Sequence, residues 1–191
     1  MSPPERPELV LVRHGETEWT LSGQHSGRTD VPLTEAGRRQ VSDVAPRLSG
    51  RDFARVLASP LSRAWDTAAL AGFAERAERC DDLVEWDYGA YDGVTTAEIR
   101  KHRPGWTVWA DGAPDGETVA EVGGRADKVL AQVREASADV LLFSHGHFLR
   151  VLAARWVGLA PADGRLLALG PGSVSVLGWE RENPVIDTWN G

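Results

Sequence analysis

Three short apolar runs stand out along the chain, and a polar segment follows each of them. They are Leu9 to Val12, Val56 to Ala58 and Val140 to Phe143. Continuous apolar runs of this length are typical of strands that are buried on both faces, as the strands of parallel sheets are. We therefore predict three strands of one parallel sheet, each of which ends in a loop.

Between these runs the apolar spacing changes to that of helices. The pattern predicts a helix over about 34–48, capped by its first residue, and a second helix capped by Ser59. Pro60 suits the first turn of this second helix, where a missing N–H costs nothing. Helical spacing returns over 117–133, and a further helix follows the third strand to about Val157.

The alternation of strand and helix predicts the fold class. It is typical of an α/β protein with three layers, in which an open, mostly parallel sheet carries helices on both faces. Ser173 to Trp179 and Val185 to Trp189 predict two late strands near an edge. A length of 191 residues indicates a single domain, 1–191. Within it, the segment 95–116, rich in Trp, Pro and Gly, is interpreted as an insertion that covers the crevice, or alternatively as a packed surface excursion.

Composition and charge narrow the class of partner. The formal net charge of −7 supplies no basic field for nucleic acid or an anionic membrane, so an anion site must be built from local cations. Cys80 is the only cysteine, which fits a reducing compartment. Met1 to Glu8 has no apolar signal core, and no apolar run approaches membrane-spanning length. We predict a cytoplasmic protein that acts on a small molecule, with no nucleic-acid or membrane partner; a homodimer is left open.

Reactive side chains fall at the ends of the predicted strands. His14 and Arg13 follow the first strand, Arg63 follows the second, and His145 follows the third. Any one of them alone would more often have a structural role, but strands of a parallel sheet open onto one crevice. There each of the two arginines could donate a pair of parallel hydrogen bonds to phosphate. His145 and the backbone N–H groups after it could donate further hydrogen bonds. Positive neighbours would keep His14 neutral and nucleophilic.

A phosphoryl-transfer reaction also needs an acid for the leaving oxygen. The stretch around Trp86 offers carboxylates beside apolar and aromatic residues, a setting that favours a protonated acid. Glu85 is our candidate. Asp81, Asp82 and Asp87 compete with it on chemistry alone, and the residues themselves do not decide among them.

Five motifs in order resemble those of the histidine phosphatase superfamily, also called the phosphoglycerate mutase-like family. The resemblance covers nearly the whole chain, and the linked set is far more specific than a lone Arg-His-Gly. The motifs are Arg13-His14-Gly15-Glu16-Thr17-Glu18-Trp19, Gly27 to Asp30 with Pro32 to Gly37, Ser59 to Ala64, Leu83-Val84-Glu85 with Gly89 and Gly93, and Ser144-His145-Gly146.

The resemblance implies a role for each matching position. It makes His14 the phosphorylated nucleophile and selects Glu85 as proton donor and then acceptor. The phosphate pocket that it implies comprises Arg13, Arg63 and His145. Further substrate-binding candidates are Thr20, Ser26, Gly27, Tyr88, Gly146 and His147. Thr20 stands where the family often has Asn, and its hydroxyl can still donate to phosphate with shorter reach. No metal or cofactor is implied.

Two activities are known within the family that the chain resembles. Its mutases have a longer, Arg-rich insertion after the Glu motif, whereas this segment is short and its basic residues are limited to Lys101, His102 and Arg103. We therefore predict hydrolysis of a small phosphomonoester, such as a phosphosugar, through a phosphohistidine intermediate. The closest likeness is to acid phosphatases and sugar-bisphosphatase-type members. The alternative is a phosphoglycerate mutase-type phosphotransferase.

Two readings lie outside this chemistry. The spacing His145-Gly146-His147 could belong to a metallohydrolase, because His-x-His is a frequent ligand pattern. No second ligand cluster is evident in the sequence, and a helix N-terminus favours an anion over a cation. The other reading is a non-catalytic protein that binds a phospho-ligand, which would show affinity for phosphate esters without turnover.

Overall fold

The computed structural model describes residues 6–191, so part of the Met1 to Glu8 segment lies outside the described residues. Six strands form one sheet in the order β3-β2-β4-β1-β5-β6. Strands β1 to β4 pair in parallel, and β5 and β6 are antiparallel additions beyond β1. The strands are β1 Leu9–Arg13, β2 Arg55–Ala58, β3 Ala77–Arg79, β4 Val140–Ser144, β5 Val174–Glu180 and β6 Asn183–Thr188.

Eight α-helices connect and cover these strands in the described part of the chain. Thr17, Thr95 and Thr118 each close a reciprocal capping box at the start of a helix. The helices are α1 Glu18–Ser22, α2 Glu35–Ser42, α3 Val44–Leu48, α4 Ser62–Ala68, α5 Thr96–His102, α6 Val108–Asp111, α7 Val119–Arg134 and α8 Gly146–Trp156.

Two hydrophobic cores, one on each face of the sheet, account for the continuous apolar runs. Successive side chains of a strand point to opposite faces. Leu9 and Leu11 of β1 accordingly join a core with α7 and α8, whereas Val10 and Val12 join a core with α2, α3 and α4. The predicted α/β architecture, with helices on both faces of a mostly parallel sheet, is confirmed.

Local predictions differ from the structure at two helices. The predicted helix over 34–48 is two helices, α2 and α3, that meet at Asp43. Pro46 accounts for the break, because its ring would clash with the carbonyl of Ser42 in a continuous helix. Helix α4 begins at Ser62, so Ser59 is not its cap; the Asp30 carboxylate accepts from the Ser62 N–H at 2.8 Å instead.

The remaining predicted elements are found close to their expected places. Helix α7 and helix α8 fill the stretches with helical spacing, and the two late strands are β5 and the edge strand β6. Strand β3 was not predicted, because its three residues, Ala77 to Arg79, are mostly polar and exposed. Among residues 6–191, no helix has the length and apolar character that crossing a membrane requires.

Candidate active site

Two neighbouring parallel strands bring the histidines together. Arg13 at the end of β1 lies opposite Ser144 at the end of β4, so the next residue of each strand, His14 or His145, starts a loop at the same edge. The two imidazole ring centroids are 5.1 Å apart. Strand β2 pairs with the other side of β4 and leads through Ser59 towards Arg63. The expectation that strand ends converge in one place is met by this register.

A cavity of about 200 Å³ opens at this edge of the sheet. It collects eight of the eleven residues that the sequence singled out, namely Arg13, His14, Thr20, Ser26, Glu85, Tyr88, Gly146 and His147. Of the four competing carboxylates near Trp86, Glu85 is the one that lines this cavity. Asp87 is turned away and accepts hydrogen bonds from the Gly89 N–H and from Arg28.

His14 is held with one ring nitrogen uncommitted. Its Nδ1 lies 2.7 Å from the carbonyl oxygen of Gly15. Because a carbonyl can only accept, Nδ1 carries the hydrogen, and Nε2 of the neutral ring keeps its lone pair. Burial, with Arg63 and Arg13 nearby, holds the pKa of His14 well below its ordinary value. The ring is therefore neutral and presents a nucleophilic Nε2.

Two buried donors, each on a residue that lines the cavity, have no partner in the described part of the chain. They are the Nε of Arg13 and the Oγ of Ser26. Arg13 is anchored by its Nη1, which donates to the carbonyl of Leu169. Unpaired buried donors cost free energy unless a ligand completes them. The pair is therefore suited to the oxygens of a bound anion.

The carboxylate of Glu85 lies at the N-terminus of α8. Its Oε1 accepts from the backbone N–H groups of Trp86 at 2.9 Å and Phe148 at 2.8 Å, and its Oε2 accepts from the N–H of His147 at 3.0 Å. The sequence-based expectation offered the backbone N–H groups of the turn after His145 to phosphate. Here those of residues 147 and 148 donate to Glu85, and a phosphate contact from this turn stays a prediction. A carboxylate supplied by the chain itself meets the positive end of the helix.

Arg63, His145 and Gly27 lie behind the cavity and do not line it. Each nitrogen of Arg63 donates to the protein: Nε to His145 Nδ1 at 3.2 Å, Nη1 to the Thr29 carbonyl, and Nη2 to the carbonyls of Ser26 and Gly27. In this arrangement the guanidinium holds the 26–29 loop and does not present an open fork to phosphate.

His145 is likewise engaged at both ring nitrogens. Its Nδ1 accepts from Arg63, so in the neutral ring Nε2 carries the hydrogen and donates to Ser59 Oγ at 2.8 Å. Burial, followed by the charge of Arg63, lowers the pKa of His145 well below its ordinary value. Both ring nitrogens are thus engaged within the protein in this arrangement, and a contact from His145 to phosphate stays a prediction.

No group of three or more His, Cys, Asp or Glu side chains among residues 6–191 is arranged to hold a metal ion.

The profile of the histidine phosphatase superfamily (branch 1) matches residues 9–191 of the chain. The chain belongs to the histidine phosphatase superfamily.

Individual relatives agree with this membership. An acid phosphatase of Mycobacterium tuberculosis is 46% identical over 177 residues, which are 90% of this chain and 86% of that protein. Sedoheptulose 1,7-bisphosphatase of Saccharomyces cerevisiae is 35% identical over 186 residues, covering 80% and 68%. A probable phosphoglycerate mutase of Proteus mirabilis is 30% identical over 192 residues, covering 95% and 89%.

A solved structure shares the whole fold. The product of an open reading frame of Mycobacterium tuberculosis superposes with a TM-score of 0.91 at 40% identity, covering 96% of this chain and 97% of that one. With the family and its phosphatase relatives established, the chain is a phosphoric monoester hydrolase of the histidine phosphatase type.

This histidine phosphatase has cavity residues that sequence reasoning missed. They are Trp19, Gly23, Gln24, His25, Arg150 and Leu169. Arg150 could have been found, since it lies three residues after His147 on one face of α8. His25 directly precedes Ser26 in the loop. Leu169 lies in an irregular stretch after the 3₁₀ helix Pro161–Leu166, and nothing in the sequence points to it.

The segment 95–116 lies behind one wall of the histidine phosphatase cavity. The ring of Trp106 is 5.6 Å from that of His25, and the ring of Trp109 is 5.1 Å from that of His147. Thr96 Oγ1 bonds to His25 Nε2 at 3.1 Å. In the described structure the segment supports lining residues and contributes no lining side chain of its own.

Proposed function

We propose that this chain hydrolyses a small phosphosugar ester through a phosphohistidine intermediate on His14. The observation that carries the proposal is the uncommitted Nε2 of His14, in the same cavity as the unpaired Arg13 donor and the Glu85 carboxylate. A neutral nucleophile, a cationic donor and a proton carrier are the three groups that phosphoryl transfer needs.

In the first half of the cycle, His14 Nε2 attacks phosphorus and the bond from phosphorus to the ester oxygen breaks. Arg13 Nε and Ser26 Oγ are candidate donors to the phosphoryl oxygens, because both lack a partner and belong to residues that line the cavity. Thr20 and the backbone of Gly146 line the same space and are further candidates for these contacts. Fixed donors aimed at developing charge stabilise the transition state.

Glu85 would protonate the leaving alkoxide, so that an alcohol departs. Its Oε1 already accepts two N–H groups and its Oε2 accepts one, so Oε2 has the lone pair on which a proton can reside. In the second half, the resulting carboxylate takes a proton from water as the water attacks phosphorus. The bond from phosphorus to His14 breaks, inorganic phosphate leaves, and Glu85 is protonated again.

Arg63, His145 and Gly27 would act through position. Arg63 holds the 26–29 loop from its carbonyl side, and Asp92 holds it from the other side by accepting from the Gly27 N–H at 2.7 Å. A direct phosphate contact from Arg63 would require its guanidinium to release one of these acceptors. That contact stays a prediction.

Two features favour a phosphosugar as substrate. The cavity is also lined by polar side chains beyond the candidate phosphate-holding residues, including Gln24 and His25, that could meet hydroxyl groups. Among the relatives are an acid phosphatase and a sugar bisphosphatase. The relative named as a probable mutase keeps phosphoglycerate isomerisation as the second candidate.

The test is a phosphate-release screen across phosphosugars, sugar bisphosphates, phosphoglycerates and nucleotides, with isomerised phosphoglycerate assayed in parallel. We expect the highest kcat/KM for a sugar phosphate and an acid-labile phosphate label on His14. His14→Ala should remove both turnover and label. His102→Ala, which changes an exposed histidine of α5, is the matched control. Full activity in His14→Ala would contradict the mechanism. A dominant isomerisation of phosphoglycerate would favour the alternative function of a mutase-type phosphotransferase.

Three further expectations remain proposals. A cytoplasmic location can be checked by cell fractionation, and a homodimer by light scattering of the purified chain. A covering role for the segment 95–116 predicts that its amides gain protection from hydrogen exchange when substrate binds. Unchanged exchange in that segment would favour the alternative of a packed surface excursion.

A further inference from the structure

One wall of the cavity contains two polar side chains that the proposed cycle does not use, Tyr88 and His147. The Tyr88 hydroxyl oxygen lies 2.6 Å from His147 Nδ1. Burial raises the pKa of Tyr88 well above its ordinary value, so the hydroxyl keeps its hydrogen. Burial, followed by the charge of Arg150, lowers the pKa of His147 well below its ordinary value, so the ring is neutral. The Tyr88 hydroxyl therefore donates to Nδ1.

This hydrogen bond fixes the tautomer of the imidazole. A neutral ring whose Nδ1 accepts must carry its hydrogen on Nε2. Within residues 6–191, Nε2 of His147 makes no hydrogen bond and is not among the buried polar atoms that lack one. The ring lines the cavity and packs on its far side against Trp109, at 5.1 Å between centroids. Its Nε2–H is thus a fixed donor with an open position in front of it.

We propose that Tyr88 and His147 form a specificity-determining pair, in which the Tyr88 hydroxyl holds the imidazole so that the His147 Nε2–H donates to a hydroxyl oxygen of the leaving group. The inference rests on the proposed function, because it assumes that a phosphate ester occupies the cavity. His147 is the substrate-binding member of the pair, and Tyr88 is the positioning member.

The position of His147 places this contact on the leaving-group side. Its backbone N–H donates to Glu85 Oε2, the oxygen that would protonate the ester oxygen. A hydroxyl beside the ester oxygen, as in a phosphosugar or polyol phosphate, can accept a hydrogen bond from the His147 Nε2–H. Both groups are neutral, so the contact adds no charge to the cavity. An ester that lacks this hydroxyl leaves the Nε2–H unpaired in the filled cavity. A site built to bond a hydroxyl discriminates against the analogue that lacks it.

The kinetic test compares glycerol 1-phosphate with propyl phosphate, which lacks the hydroxyls. Each ester competes against p-nitrophenyl phosphate, so its inhibition constant reports its affinity if the ester is not turned over and its KM if it is. The intrinsic difference between the two esters cancels when the ratio of their constants is compared across variants. We expect the preference for glycerol 1-phosphate to fall about tenfold in His147→Phe and about threefold in Tyr88→Phe.

Tyr91→Phe is the matched control. It removes the hydroxyl of the other tyrosine, which faces Arg103 at 3.5 Å and does not line the cavity. The ratio should not change in this variant. An unchanged ratio in His147→Phe, an equal fall in Tyr91→Phe, or a wild-type protein without preference would each overturn the proposal.

A spectroscopic measurement tests the tautomer independently of activity. In ¹⁵N-labelled protein, long-range couplings report which ring nitrogen of each of the five histidines carries hydrogen. We expect hydrogen on Nε2 of His147 in the wild type and in Tyr91→Phe, and a mixture of tautomers in Tyr88→Phe. Hydrogen on Nδ1 in the wild type would overturn the proposal. Failure of the proposed function appears separately, as the absence of acid-labile phosphate on His14.

Discussion

Replacing Glu85 by Gln separates the two tasks that the structure gives to this side chain. The carboxylate accepts one N–H group at Oε2 and two at Oε1. An amide can keep its oxygen at one of these places only, so its NH₂ group must face a backbone donor at the other. Loss of a hydrogen bond to a charged group costs about 1.5–3 kcal/mol. For a chain of this length, at roughly 2–4 °C per kcal/mol, we expect the Tm to fall by about 3–12 °C.

The same substitution removes the proton that the leaving group needs. General acid catalysis contributes typically about 10²–10⁴-fold to rate. Glu85 would also activate water in the second half-reaction for every substrate, so the acid role is read from kcat/KM, which covers only the steps up to phosphorylation of His14. We expect kcat/KM for a sugar phosphate to fall by about 10²–10⁴-fold, and kcat/KM for p-nitrophenyl phosphate to fall far less, because nitrophenolate leaves without protonation. The assay is a plot of log kcat/KM against leaving-group pKa for a series of aryl and alkyl phosphates. The slope should steepen in Glu85→Gln.

Glu98→Gln is the matched control for this experiment. Glu98 also accepts from a helix N-terminus, through the Thr95 N–H at 3.0 Å, but it lies on α5 away from the cavity. It should leave the slope of the plot unchanged. Equal losses of kcat/KM for good and poor leaving groups in Glu85→Gln would refute the acid role.

Three other changes have expected outcomes. Gly146→Ala places a Cβ 3.1 Å from Arg13 Cζ, and we expect inhibition by inorganic phosphate to weaken about tenfold as the guanidinium shifts, measured as an inhibition constant. Arg63→Lys removes the bonds to the 26–29 loop, so the amides of that loop should exchange hydrogen faster; equal exchange in both proteins would contradict the positioning role. The third change is of pH. His14, His145 and His147 have folded-state pKa values well below their ordinary value, chiefly through burial, so the unfolded chain binds more protons below about pH 6.5. The contribution of these histidines to the free energy of unfolding should be fully present well above that pH. The free energy of unfolding should fall by about 3–4 kcal/mol between pH 7.5 and 5.5, measured by urea unfolding, and a flat profile would contradict this expectation.

The parts of the fold that the sequence predicts are those with a strong local signal. Leu9 to Val12 is apolar at four consecutive positions because both faces of β1 are buried, and such a run is typical of a strand inside a parallel sheet. Strand β3 was missed because its burial is slight and parallel pairing with β2 defines it. The cap of α4 was assigned wrongly for a similar reason. Asp30, which takes that place, is distant in sequence, and only the folded chain brings it to Ser62.

At the site, sequence predicted which residues meet but not which atoms are free. Parallel strands end at one edge, so the convergence of His14, Glu85 and Arg13 follows from topology and motif. Whether a donor is available to a ligand depends on whether another part of the chain supplies an acceptor for it. Arg63 finds backbone carbonyls in a loop more than thirty residues away, and no spacing rule encodes that.

The N-terminus of α8 shows how a hydrogen bond made within the protein changes the chemistry of the site. A free helix N-terminus would bind the phosphate itself. Here the N–H groups of His147 and Phe148 donate to Glu85, so the helix fixes the proton carrier, and charge on the transferring phosphoryl group must be met elsewhere. Arg13 is the cation in the cavity with a buried, unpaired donor. Its loss should therefore weaken transition-state binding more than the loss of any single neutral donor there.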